Sequence, residues 1–91
     1  MKKFLLILLT IISTNVMAQT DFRHISFKEA LVAASQEGKQ VFIDFYTDWC
    51  GPCKRMARET FPKESVGEYM NKHFVNLKVN AEKGEGIELA K

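Results

Sequence analysis

The sequence predicts an α/β fold in which strands joined by helical crossovers build a parallel sheet. Three observations predict it. Apolar residues recur at helical spacing after Ser26, β-branched and aromatic residues run together at 41–46, and a second strand-like stretch at 74–79 follows a helical one. A strand-helix-strand-helix-strand order implies right-handed connections, because a right-twisted strand feeding a right-handed helix packs back onto its sheet only that way.

The elements follow in order. Phe22-Arg23-His24-Ile25 alternates weakly and is expected to form a short strand. Ser26-Phe27-Lys28-Glu29 matches a capping box, so a helix is expected over 26–37, with Phe27, Ala30, Leu31 and Ala34 on its apolar stripe and Gly38 as its stop. Val41-Phe42-Ile43-Asp44-Phe45-Tyr46 is apolar on both faces except at Asp44, which suits a buried parallel strand. Good helix formers extend from Pro52 to about Thr60, and Pro62 ends that helix. A further helix over about 64–72 is expected to pack through Val66, Tyr69 and Met70. Phe74–Val79 alternates as a strand, Gly84 and Gly86 mark a turn, and 87–91 begins another helix. Met56 and Met70 read as core fillers.

The N-terminal 18 residues stand apart. Lys2-Lys3 precede Phe4–Ile12, in which eight of nine residues are apolar, and Val16-Met17-Ala18 supplies small or aliphatic residues before a cleavage point. This is the pattern of a secretory signal peptide over 1–18, leaving 19–91 as the folded domain. The run is too short for the ~20 residues that a membrane span requires. Contact with the membrane is therefore expected only through this segment during export, to the periplasm or the cell exterior. Export places the cysteines in an oxidising compartment, where a pair persists as a disulfide unless something reduces it.

Composition removes several classes of function. Hydrophobic residues at 46% and charged residues at 26% are globular usage, not that of a disordered or fibrous chain. The net charge of +2 is carried by Lys2 and Lys3, leaving 11 basic and 11 acidic side chains in the body. A neutral body without a basic stripe excludes phosphate-driven nucleic-acid binding.

The two cysteines are spaced Cys50-Gly51-Pro52-Cys53 at a strand-to-helix junction. A bridge closing so short a loop adds little stability through chain entropy, so a structural staple is a poor use of the pair. Zinc needs about four ligands, and only His24 and His73 remain to help, without paired spacing; both are read as solvated or packing residues. Haem attachment requires His after the second Cys, where Lys54 stands. No metal or other cofactor is called for. Redox chemistry remains. Cys50 lies where free amides and the positive end of a helix dipole stabilise a thiolate, the attacking species. Pro52 occupies a position where a missing amide costs nothing, and Gly51 leaves the sulfur approachable. Cys53, expected to be the more buried, reaches back to resolve the mixed disulfide. A non-catalytic protein-binding module bearing thiols and a metal carrier using the pair are the alternatives.

The segment Phe45-Tyr46-Thr47-Asp48-Trp49-Cys50-Gly51-Pro52-Cys53-Lys54 resembles the active site of thioredoxins and exported thioredoxin-like proteins. Residues 41–44 and Leu77-Lys78-Val79-Asn80 fit the same family, and the resemblance runs from about Phe22 to the end. Glu59–Pro62 and His73–Val75 are similar to the exported branch that includes the C-terminal domain of membrane thiol reductases. The resemblance implies a thioredoxin-like fold and a thiol-disulfide oxidoreductase that reduces protein disulfides, with a membrane thiol reductase as electron donor. It also implies that Asp44 is the acid that helps deprotonate the resolving thiol and that Lys78 is its neighbour. Two other readings stand beside these: Asp44 facing a wet gap at a strand end, and Lys78 simply solvated. Trp49, with Gly51 and Pro52, would form the surface against which a substrate peptide lies.

The sequence departs from the family after this. Thioredoxin folds continue with two antiparallel strands and a helix, and carry a cis-proline opposite the cysteines; Pro52 and Pro62 cannot be that residue. The expectation is the N-terminal β-α-β-α-β portion of the fold, with the C-terminal strands and helix missing. The strand at 41–46 would then have an open apolar edge, and the 91-residue product is expected to be unstable or to aggregate.

Overall fold

A computed structural model describes residues 19–91, so the leader expected at 1–18 lies outside the described residues. The elements are α1 (Phe27–Glu37), β1 (Gln40–Tyr46), α2 (Gly51–Glu59), α3 (Glu64–His73), β2 (Phe74–Asn80) and α4 (Gly86–Leu89). None of these helices is long and apolar enough to cross a membrane.

The capping box forms as the sequence predicts. Ser26 Oγ accepts from the Glu29 amide at 3.1 Å, and Glu29 Oε1 accepts from the Ser26 amide at 3.0 Å. Gly38 closes α1 at φ 66°, a left-handed turn that a residue without Cβ adopts at no steric cost. The chain then enters β1. α3 runs directly into β2, with Lys72 and His73 in its last turn, where cations complement the helix dipole.

β1 and β2 pair in parallel, from Gln40 opposite Phe74 to Tyr46 opposite Asn80. On one face Val41, Ile43, Val75, Leu77 and Val79 meet Ala30 and Ala34 of α1. On the other, Phe42 packs near Phe61 and Phe74 with ring centroids 6.3 and 6.0 Å apart, and Phe22 meets Phe61 edge-on at 5.0 Å. The sheet is thus the middle layer of three.

Several expectations require correction. The strand expected at 22–25 reduces to one parallel bridge between Phe22 and Asn76, held by the Arg23 amide on the Asn76 carbonyl at 2.9 Å. β2, not β1, is the buried strand: Val75, Asn76 and Leu77 are buried, whereas every residue of β1 is half-buried or exposed. The reason is position in the sheet. β2 has β1 on one side and the Phe22 bridge on the other, while β1 pairs only with β2 among the described residues. Its second edge has no partner strand among the described residues. Met56, Tyr69 and Leu31 are exposed rather than core, because α2 buries no residue fully and α1 buries only its two alanines.

Candidate active site

The site lies where β1 hands over to α2. Cys50 is the N-cap residue of α2, in extended conformation, and its Sγ accepts from the Cys53 amide at 3.2 Å. An N-cap side chain satisfies an amide that the helix leaves free; here the acceptor is sulfur. That amide and the helix dipole both favour negative charge on Cys50. Cys50 and Cys53 form a disulfide with their Cα atoms 5.3 Å apart. Both residues are half-buried, so the expected contrast in burial between them does not appear. Cys53 Sγ sits 3.9 Å from the Phe45 carbonyl of β1.

Pro52 stands in the first turn of α2 and is exposed. A Cβ at Gly51 would meet nothing within 4 Å, so the approach past this residue is open. Trp49 is 75% exposed, and its indole N–H donates to Glu82 Oε1 at 2.9 Å.

That bond belongs to a clamp between two loops. Asp48 Oδ1 accepts from Asn80 Nδ2 at 3.2 Å, and Asp48 Oδ2 lies 3.0 Å from Lys83 Nζ. Asn80 Oδ1 in turn accepts from the Glu82 amide at 2.9 Å, and the Ala81 amide donates to the Tyr46 carbonyl at 2.8 Å. The hydrogen bond to Asp48 and its charge raise the Lys83 pKa above its ordinary value. Asp48, Asn80, Glu82 and Lys83 were not singled out by the sequence, since their partners lie more than 30 residues away and no local pattern marks them.

Asp44 and Lys78 stand directly opposite each other on β1 and β2, so their side chains leave the same face of the sheet. Asp44 Oδ2 is buried without a hydrogen-bond partner. Burial raises its carboxyl pKa, and the charge of Lys78 opposes that rise. Lys78 forms no ion pair with Asp44; its ammonium lies 5.3 Å from the Tyr46 ring centroid and 5.9 Å from that of Phe22. A cavity of about 190 Å³ lined by Thr47, Cys53, Ala57 and Lys78, among others, joins the second cysteine to this lysine.

Pro52 and Pro62 carry no cis peptide bond, and none occurs among the described residues. No three His, Cys, Asp or Glu side chains gather as metal ligands among those residues. His24 and His73 are exposed, with the His73 ring 4.5 Å from that of Tyr69.

Residues 21–90 match the family described as thioredoxin-like. A solution structure of a protein assigned as a disulphide-isomerase, from Bacteroides thetaiotaomicron, is 51% identical with a TM-score of 0.69, over 79% of this chain and 60% of that one. The thiol:disulfide interchange protein DsbD of Vibrio cholerae is 38% identical over 66 residues, 70% of this chain and 11% of that protein. Thioredoxin-T of Drosophila melanogaster is 51% identical over 53 residues, 56% of this chain and 31% of that protein. The chain spans less than two thirds of each of these relatives. The fold, the cysteine pair at the helix start and these matches agree: the chain belongs to the thioredoxin-like family.

Proposed function

We propose that this protein is an exported thiol-disulfide oxidoreductase that reduces protein disulfides, with residues 19–91 as the part of its redox domain that carries the cysteine pair once the leader at 1–18 is removed. The observation that carries the reading is the Cys50 sulfur at the start of α2, accepting the Cys53 amide and already bonded to the Cys53 sulfur. In the reduced protein the Cys50 thiolate attacks one sulfur of a substrate disulfide. The substrate S–S bond breaks, a Cys50–substrate bond forms, and the departing substrate thiolate takes up a proton. Cys53 then loses its proton and attacks the Cys50 sulfur, releasing the second substrate thiol and closing the Cys50–Cys53 disulfide. Two electrons pass from the protein to the substrate.

Asp44 is the base for the Cys53 proton, its buried oxygen left without a hydrogen-bond partner, and Lys78 directly opposite it tempers the charge Asp44 acquires. Burial, by raising the Asp44 pKa, makes its carboxylate a better proton acceptor than an exposed one. Trp49, Gly51 and Pro52 form the surface that receives the substrate chain; the exposed indole and the open space at Gly51 support this. Return to the dithiol requires a donor. The similarity to DsbD proteins supports a thiol reductase in that role, and a membrane-bound one placed in the periplasm or at the cell exterior fits the leader.

Trapping tests the reading. Cys53→Ser is expected to accumulate mixed disulfides with an unfolded, disulfide-bonded protein, while Cys50→Ser forms none and turns nothing over. Wild-type function in both variants would replace catalysis with a binding role. The equilibrium of the Cys50–Cys53 pair with glutathione checks direction: a strongly oxidising potential would contradict reduction as the task.

A further inference from the structure

The outer face of α2 carries Lys54, Arg55 and Arg58, all exposed. None of the three has a carboxylate within 4.0 Å among the described residues, as is also true of Lys28, Lys63, Lys72 and Lys78; what sets them apart is that they share one helix face beside the cysteines. Basic and acidic side chains balance at 11 each beyond Lys3, so this cluster is a local concentration and not a reflection of net charge.

Part of the arrangement works against the helix. Lys54 and Arg58 are four apart, the spacing at which like charges repel along one helix face. The first turn of α2 holds no acidic residue, and Lys54 follows it at the end where the dipole disfavours cations. Arg58, in the last turn, complements the dipole; Lys54 and Arg55 do not. Arg58 suits the dipole and Arg55 has Glu59 four residues on, so helix stability leaves only Lys54 without a reason. A shallow, open depression lies on the same face, lined by Gly51, Lys54, Ala57 and Arg58, and begins one residue from Cys50. Its wall is cationic at two places and open at Gly51, beside the sulfur that meets the substrate.

We propose that this face docks an acidic stretch of the substrate, so that the preferred substrates are polypeptides whose reactive disulfide is flanked by Asp and Glu. The proposal rests on the redox reading above and adds the substrate class. The carboxylates supply ion-pair partners for Lys54, Arg55 and Arg58, which have none among the described residues, and the field of the cluster draws an acidic chain toward Cys50 before any sulfur contact.

The test uses the intact protein as it is made in the cell, reduced and freed of reductant, in single-turnover reaction with three disulfide-bonded peptides. They share one core and differ only in flanks of Glu, Gln or Lys. In each reaction the Cys50–Cys53 dithiol loses two electrons and two protons, and the peptide disulfide gains them. At low ionic strength the Glu-flanked peptide is expected to react about tenfold faster than the Gln-flanked one, the low end of electrostatic steering, and the Lys-flanked one more slowly still. At about 0.5 M salt the three rates converge, because exposed charges are screened within a few ångströms. The double variant Lys54→Gln, Arg58→Gln is expected to treat the Glu and Gln peptides alike. Equal rates for the unaltered protein at low salt, or a preference that the double variant keeps, would overturn the docking proposal and leave the redox reading standing. Reduction of none of the peptides would overturn both.

Discussion

Asp44 and Lys78 face each other across the two-stranded sheet in exact register, yet the carboxylate keeps one buried oxygen without a hydrogen-bond partner. A buried carboxylate tolerates its proton better than its charge, and the lysine opposite relieves only part of that cost. The sign follows directly. A carboxyl whose pKa is raised in the folded state makes stability fall as pH rises from its ordinary 3.8 through the folded value.

Asp44→Asn is therefore expected to remove that decline and to stabilise the protein at neutral pH by about 1 kcal/mol, a typical figure for a poorly satisfied buried polar group. Urea melts at several pH values measure it. The same substitution is expected to slow attack by Cys53 on the mixed disulfide by ~10²-fold, the scale of a lost general base. Unchanged resolution kinetics would leave Asp44 a purely structural residue.

A second pH effect has the opposite sign. Arg23 grips Glu37 with both guanidinium ends, at 2.6 and 2.7 Å, and Lys39 lies 3.2 Å away. The hydrogen bonds from Arg23 lead in holding the Glu37 carboxyl down at about 2, from an ordinary 4.5. Such a group stabilises the fold above its unfolded pKa, and that stability is lost as pH falls from about 4.5 toward about 2. The pair ties the segment before α1 to that helix's C-terminal end. Glu37→Gln is expected to flatten acid unfolding in this window, measured by circular dichroism during acid titration.

Core packing gives a third expectation. Leu77 is 2% exposed, in the middle of β2 and against α1. Leu77→Ala is expected to cost about 3 kcal/mol, the middle of the range for a buried leucine truncation, with the loss read from denaturant midpoints at constant slope.

The contrast between β1 and β2 explains what the sequence could and could not convey. Local rules sufficed where the determinants are local: the Ser26–Glu29 box, the Gly38 stop and the Cys50–Pro52 helix start all fall within a few residues and formed as expected. Burial is a property of neighbours. The run 41–46 is the more apolar of the two strands, but its exposed edge leaves it half-buried, while β2 is covered on both sides despite its alternation. Phe22–Ile25 kept only one bridge because a weak alternation cannot by itself hold a ladder. Trp49 was legible as a surface beside the sulfur; its tether to Glu82 was not, because the partner arrives from a loop 33 residues on. That Lys78 neighbours Asp44 was implied by the resemblance, and the register places the two directly opposite each other.

The central claim is that the Cys50 sulfur is held as a thiolate by the start of α2. Its most direct test is the pH dependence of alkylation in the reduced chain, with modified Cys50 and Cys53 separated by mass spectrometry. The account predicts a Cys50 midpoint well below the ~8.5 of an ordinary thiol, toward the ~7 or lower of activated cysteines. A midpoint at or above ~8.5 would contradict it.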